Sequence, residues 1–459
     1  MKKIFFLVAL TGLLFGCAKS DGEEQDEQVV ELPTAAPNRI LYTSSEKITF
    51  DKDAFDTPLM ANLRNGTNGV LEFEGEVKTI GINAFRNCKT ITGISLPQGV
   101  EIVGDSAFFN CTALKTITMP DNVKKIGKMA FAKSGINNIT LPKGLDSLKE
   151  WSFYGCTNLK NIEIPDKVKL IESNTFNGCE NITSIDFGNV SKIEEAAFKD
   201  CNKLSQITLP AQLAVINRSL FSGCRSLKEI VIPATVTAIN EEAFSGSGIE
   251  KISIPGSVVT IADKAFFSCS NLTEAVIVDG TKTIGADAFS GTKIKSAILP
   301  ASVTTIGNGA FSICAELTEA SLPGITIVEA DMFKRCKKLN KVTLNNNITA
   351  IGTEAFYNCS SLAEITLPAN ITTIGRSAFY GCSISSITIP DKVTDISGFV
   401  FQNCTNLTQV TCNATNPPSA YSIMVPPSAN VSIKVPAASV DKYKSANGWK
   451  EFASQISGI

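Results

Sequence analysis

Histidine is absent from all 459 residues. That removes imidazole general-base chemistry, Ser/His/Asp and Cys/His nucleophilic arrangements, and the commonest transition-metal ligand. An excess of one charge is missing as well. There are 42 Lys and Arg against 44 Asp and Glu, a net of −2, so there is no electrostatic case for nucleic acid as a partner. No apolar run approaches 18 residues, so no segment reads as a spanning helix. The 14 cysteines include no Cys-x-x-Cys, which removes the spacing of a zinc knuckle. No catalytic residue, metal or cofactor is expected.

What the chain has instead is a period. The stretch Ile117-Thr118-Met119-Pro120 to Ala130-Phe131 recurs with substitutions, and the Phe of its Ala-Phe step falls at 85, 108, 131, 153, 176, 198, 221, 244, 266, 289, 311, 333, 356, 379 and 401. Every spacing is 22 or 23, which gives fifteen copies. A period in this window marks a leucine-rich-repeat-like solenoid. It overrides the prior, from length alone, of about three domains.

Each copy reads Leu/Ile-x-x-Ile-x-Leu/Ile-Pro-x-x-Val-x-x-Ile-x-x-x-Ala-Phe-x-x-Cys. Alternation in Ile-x-Leu predicts a short strand with two side chains inward and one outward. Pro ends the strand because it has no N–H to give a neighbouring coil. Val-x-x-Ile turns a second apolar pair inward, and Ala-Phe predicts a tight, helical turn. One coil cannot hide its apolar face alone, so coils must stack. The expected fold is an α/β solenoid of about fifteen coils with a parallel sheet along one face. At about 4.8 Å per strand its body is roughly 70 Å long. Four copies lose a residue after Phe131, Phe244, Phe289 and Phe379; two more shorten before Phe198 and Phe333. Each deletion is expected to tighten a turn.

The ends differ from the repeats. Residues 1–17 have Lys2 and Lys3 before a short apolar run ending in Leu14-Phe15-Gly16-Cys17. This layout resembles a bacterial lipobox, with Cys17 as the lipid-bearing residue; an ordinary signal peptide is the alternative. Lipid would then be the only membrane anchor. Residues 18–37 begin acidic and poor in apolar side chains, which reads as a flexible tether. The acids resemble the export tag of surface lipoproteins in Bacteroides-like bacteria, or are a plain solvated linker. Residues 38–75 read as an N-terminal cap, with strands at 39–43, 47–50 and 70–73. The solenoid runs over 76–412. Residues 413–459 form a C-terminal cap: a last strand at 431–436, a helix over 437–444, then Trp449 and Phe452 closing the core.

Pro120, Ile126, Gly127, Ala130 and Phe131, with Pro368, Ile374, Gly375, Ala378, Phe379 and Cys382, carry a pattern that resembles the BspA-like class of bacterial leucine-rich-repeat proteins. The closing segment Val435 to Lys444 with Gly448-Trp449-Lys450 resembles that family's end. The resemblance implies a horseshoe or curved rod on the cell surface that adheres to host proteins or other microbes; together with the lipobox at Cys17, the expected location is the outer membrane, lipid-anchored and exposed. The resemblance brings no catalytic residues.

Twelve cysteines stand three residues after the repeat Phe; Ser134, Ser247 and Thr292 take that place elsewhere. Without Cys17 an odd thirteen remain, so they are expected to be small buried free thiols. On the outward strand face stand Ser95, Thr118, Glu163, Asp186, Val231, Val276, Ile298 and their counterparts. Val231, Val276 and Ile298 put apolar groups where other coils put hydroxyls, as a protein contact would. Glu163 and Asp186 fall on adjacent strands, the separation of a retaining glycosidase pair, yet a flat face supplies no water-excluding cleft. Calcium and a plain solvated acidic spot are the other readings of the pair. The expected function is a monomeric surface lipoprotein binding a host or microbial protein or glycan. The alternatives are a glycan-handling enzyme or accessory protein, and an envelope structural component.

Overall fold

The computed structural model describes residues 32–420 and 431–459, which fall within one compact unit, Glu31–Ile459. The expected lipobox with Cys17, and the acidic start of the tether, lie outside the described residues.

Coils stack as the period demands. The repeat Phe rings form an unbroken pile from Phe85 to Phe401, with centroids from 5.1 Å (Phe266 to Phe289) to 6.0 Å apart (Phe198 to Phe221). Successive rings lie nearly parallel, at 2° for Phe108 and Phe131. Around the pile, Val, Ile and Leu of each coil are fully buried. Burying one such side chain contributes about 1.5–3 kcal/mol, and each does so only because neighbouring coils cover it.

Two parallel sheets run along the stack, where one was expected. The first holds the Ile-x-Leu strands, such as Asn161–Glu163 beside Ser184–Asp186. The second holds two-residue strands at the Val-x-x-Ile step, such as Lys125–Ile126 beside Ser147–Leu148. Val and Ile at that step therefore do more than fill the core; they ladder.

The Phe turn, expected to be helical, is not. Every coil carries two residues at positive φ, two before and two after its Phe, as in Met129 and Lys133 (54° and 58°) around Phe131. Left-handed residues on both sides of Phe forbid a continued right-handed helix. Most of these positions are not glycine, at about 1–2 kcal/mol each. Hydrogen bonds between coils offset that cost. The N–H groups of Met129, Phe131 and Lys133 donate to the carbonyls of Glu150, Ser152 and Tyr154 at 3.2, 2.8 and 2.7 Å. The coils are thus a β-solenoid. The only α-helix among the described residues is α1, Val440–Ser445.

Length changes in the repeat reappear as gaps in the ladders. The first sheet loses its pairing between a shortened coil and the coil before it at all four deletions after Phe: at 138–141, between 229–232 and Lys251–Ile254, between Glu274–Ile277 and Ser296–Ile298, and between 364–367 and Ser386–Ile389. The second sheet breaks after Lys192–Ile193 and before Ile327–Val328, beside the two coils shortened before Phe. In the short turn after Phe244, Gly248 is required. A Cβ there would lie 2.0 Å from the Arg225 carbonyl oxygen.

At the N-terminal end, strands β1 (Arg39–Ser44), β2 (Leu59–Asn65) and β3 (Asn68–Phe73) form an antiparallel cap, and β1 joins the first sheet at Ile91–Ser95. The strand expected at 47–50 is absent. Phe50 packs instead over Phe85, at 6.1 Å, extending the ring pile. Residues 32–37, expected to belong to the tether, already lie on the body: Ala35 is buried and bridges Pro97. At the other end, Ser432–Val435 and Ile456–Gly458 add strands, and Tyr443 and Trp449 seal the core. Trp449 Nε1 donates to the Pro418 carbonyl at 2.9 Å and Tyr443 OH to that of Ala414 at 2.8 Å. Phe452 is only partly buried against the same core.

Candidate binding face

The first sheet decides what the molecule can show. In Lys251–Ile254 the pattern is exposed, buried, exposed, buried, so Ile252 and Ile254 enter the core while Lys251 and Ser253 face out. The expected row of outward residues starts later than the sequence suggests. Ser95 is fully buried and donates to the Pro33 carbonyl at 2.8 Å, and Thr118 donates to the Leu32 carbonyl at 3.2 Å. The segment before the cap covers these two positions.

Glu163 and Asp186 are register partners on neighbouring strands, and both side chains are exposed. Asp186 Oδ1 is taken by the Gly188 N–H at 3.0 Å, closing the turn that replaces Pro. Asn161 beside them accepts from the Thr183 and Ser184 hydroxyls at 2.9 and 3.4 Å. These bonds maintain the sheet edge and turn. Among the described residues no three His, Cys, Asp or Glu side chains converge as a metal site.

Val231, Val276 and Ile298 are 82%, 47% and 60% exposed, on three of four successive coils, with Ser253 between the first two. Val278, in the place of the repeat Pro, adds a fourth exposed apolar group at 44%. The repeat pattern predicts only a turn residue at that place. Charges flanking this patch are paired between neighbouring coils: Lys251 with Glu274 at 3.2 Å, and Lys228 with Glu250 at 3.2 Å. Both pairs are exposed, so each adds only about 0.2–1 kcal/mol.

Further along the same face is a groove of about 840 Å³ that the sequence did not disclose. Val342, Ile365, Leu367 and Ile387 form its floor, and Asn340, Lys341, Glu364, Asp391 and Asn413 its rim. Its centre is residues 364–367, whose backbone makes no hydrogen bond to either neighbouring coil. The residue missing after Phe379 signals the gap towards Ser386–Ile389; the gap towards Lys341–Leu344 has no deletion beside it.

The thirteen described cysteines are free and buried. From Cys111 to Cys404 the repeat thiols are structural donors to the Phe carbonyl of an earlier coil: Cys111 Sγ to Phe85 at 3.0 Å, Cys269 to Phe244 at 3.0 Å, Cys404 to Phe379 at 3.0 Å; Cys412 Sγ instead accepts from Tyr443 OH at 3.2 Å. Burial pushes the Cys269 and Cys404 thiols up to about 11 and Cys359 up to about 12. Such thiols stay protonated and unreactive.

The model of the BspA type leucine rich repeat region matches residues 78–205, 191–318 and 326–422 of the chain. A leucine-rich repeat protein from Bacteroides ovatus is similar in structure, with a TM-score of 0.60 and 25% identity, over 88% of this chain and 90% of that one. A leucine rich cell surface protein from Faecalibacterium prausnitzii aligns at 25% identity over 81% of this chain and 94% of that one, with a TM-score of 0.41. A leucine-rich repeat protein from Eubacterium ventriosum gives 21% identity and a TM-score of 0.47, over 75% and 95% of the two chains. No curated protein sequence matches the chain.

Proposed function

The chain belongs to the BspA-type leucine-rich-repeat family, and from that premise we propose that it is a cell-surface display protein binding a macromolecular partner through the outward face of its first sheet. The observation that carries the reading is the exposed row Val231, Val276 and Ile298 on a sheet whose inward neighbours are core. Such a patch gains from being covered, and hot spots of protein contacts are desolvated apolar clusters of this kind. No helix among the described residues is long and apolar enough to cross a membrane. In this reading a lipid on Cys17 holds the protein at the outer membrane, the acidic residues after it act as tether, and the solenoid faces outward as a monomer. No catalysis is assigned to it.

Two measurements test this. Proteinase added to intact cells should remove the protein without lysis; protection until lysis contradicts surface display. The purified protein should bind saturably to at least one of a panel of immobilised host matrix proteins, mucin and glycans. Indifference to the whole panel contradicts adhesion.

A further inference from the structure

The groove centred on 364–367 differs from the apolar patch in chemistry. On its rim and floor, the side chains of Glu364, Thr366, Ser386, Thr388, Asp391 and Asn413 make no hydrogen bond or ion pair with any described residue. Lys341, by contrast, is already engaged by Glu319 at 3.6 Å. The backbone N–H and C=O groups of 364–367 likewise have no protein partner, although such groups normally find one. Uncommitted donors and acceptors therefore gather around an aliphatic floor, in a volume within the usual range of ligand pockets.

The direction of the groove selects the ligand. Its residues come from four successive coils, so it runs across the strands, over about 14 Å at three strand spacings. An extended peptide lying in it would cross the strands and could form no ladder with them. A polyol has no such constraint, because each hydroxyl donates and accepts in any direction. The two uncommitted carboxylates accept from hydroxyls and repel anions, which excludes acidic sugars. The aliphatic floor can take the C–H face of a sugar ring.

We propose that this groove is a saccharide-binding site that holds a short stretch of a neutral glycan chain laid across the strands. The inference rests on the display reading above and adds, beside the apolar patch, a second contact on the same face whose partner is a glycan. Glu364 and Asp391 accept from sugar hydroxyls, Asn413 and the Thr and Ser hydroxyls both donate and accept, and Ile365 carries the ring.

The test is calorimetric titration of the purified protein with cello-, xylo-, manno-, chito- and laminari-hexaoses, oligogalacturonate and a heparin hexasaccharide. Saturable binding of at least one neutral hexaose is expected, with no heat from the two acidic ones. Thr366→Phe, which fills the groove from an exposed position, and Asp391→Ala should each weaken that binding at least tenfold. Glu163→Gln on the distant acidic pair should leave it unchanged, and unaltered thermal unfolding of each variant shows that it is folded. Silence towards every neutral hexaose at millimolar concentration overturns the proposal, as does preference for the acidic ones or retention of binding in both groove variants. If the hexaoses fail while the protein still binds a matrix protein and is stripped from intact cells, the groove inference falls and the display reading stands.

Discussion

At the scale of single residues, the fold rests on a Phe and a small donor three positions on. Phe221 sits between Phe198 and Phe244 at 6.0 and 5.6 Å and is fully buried. Truncating it leaves a cavity that neighbouring coils cannot fill, so Phe221→Ala should cost about 3–5 kcal/mol; an unchanged melting temperature would contradict the stack. The thiols make a second prediction. Cys269 and Cys404 are raised from 9.0 to about 11 when folded, so between those values the folded chain holds protons that the unfolded chain has lost. Stability that is intact below pH 9 should therefore fall as pH rises towards 11. Calorimetry across that range checks it: the fall should be shallower in a Cys269→Ala, Cys404→Ala variant, and equal slopes would contradict burial as the cause. Most of this scale was legible. Twelve cysteines at one fixed offset, and no histidine, already pointed to packing rather than chemistry. The left-handed residues flanking each Phe were not legible, because Met129, Trp151 and Glu242 at those places carry no glycine signal; hydrogen bonds between coils, invisible to local propensity, hold them there.

At the scale of elements, a missing residue is worth a missing ladder. The deletions were countable in the sequence and were expected only to tighten turns. Removing one residue between Phe and the next strand also shifts that strand against the coil before it, and the hydrogen bonds are lost. The unpaired segments at 229–232 and 364–367 should exchange their amide hydrogens much faster than Lys251–Ile254 and Lys341–Leu344, which are paired. Hydrogen–deuterium exchange read by mass spectrometry checks this, and equal protection would contradict the gaps. The second sheet was hidden for a related reason. Two-residue strands are too short to show alternation, and only stacking makes them strands. The groove at 364–367 has a gap of this kind towards Ser386–Ile389 and, towards Lys341–Leu344, a gap with no deletion beside it, so its residues could not be found from composition.

For the whole molecule, periodicity sets the interior and departures from it set the surface. Trp449 is buried at the C-terminal end, while residues 32–37, assigned to a tether, lie over Ser95 and Thr118. That contact joins positions about 60 residues apart in sequence (Ser95 to Pro33 is separated by 62), and no local pattern announces it. What remains exposed is the middle and far part of the first sheet, where Val231, Val276 and Ile298 interrupt the hydroxyls. Display through this face carries the proposed function. It is tested most directly by surface plasmon resonance with the partner captured from the matrix-protein, mucin and glycan panel, comparing the native chain with a Val231→Glu, Ile298→Glu variant and with a Lys199→Glu control on the Phe turn. Binding at least tenfold weaker in the double variant and unchanged in the control is expected, with equal melting temperatures. Undiminished binding by the double variant would contradict it.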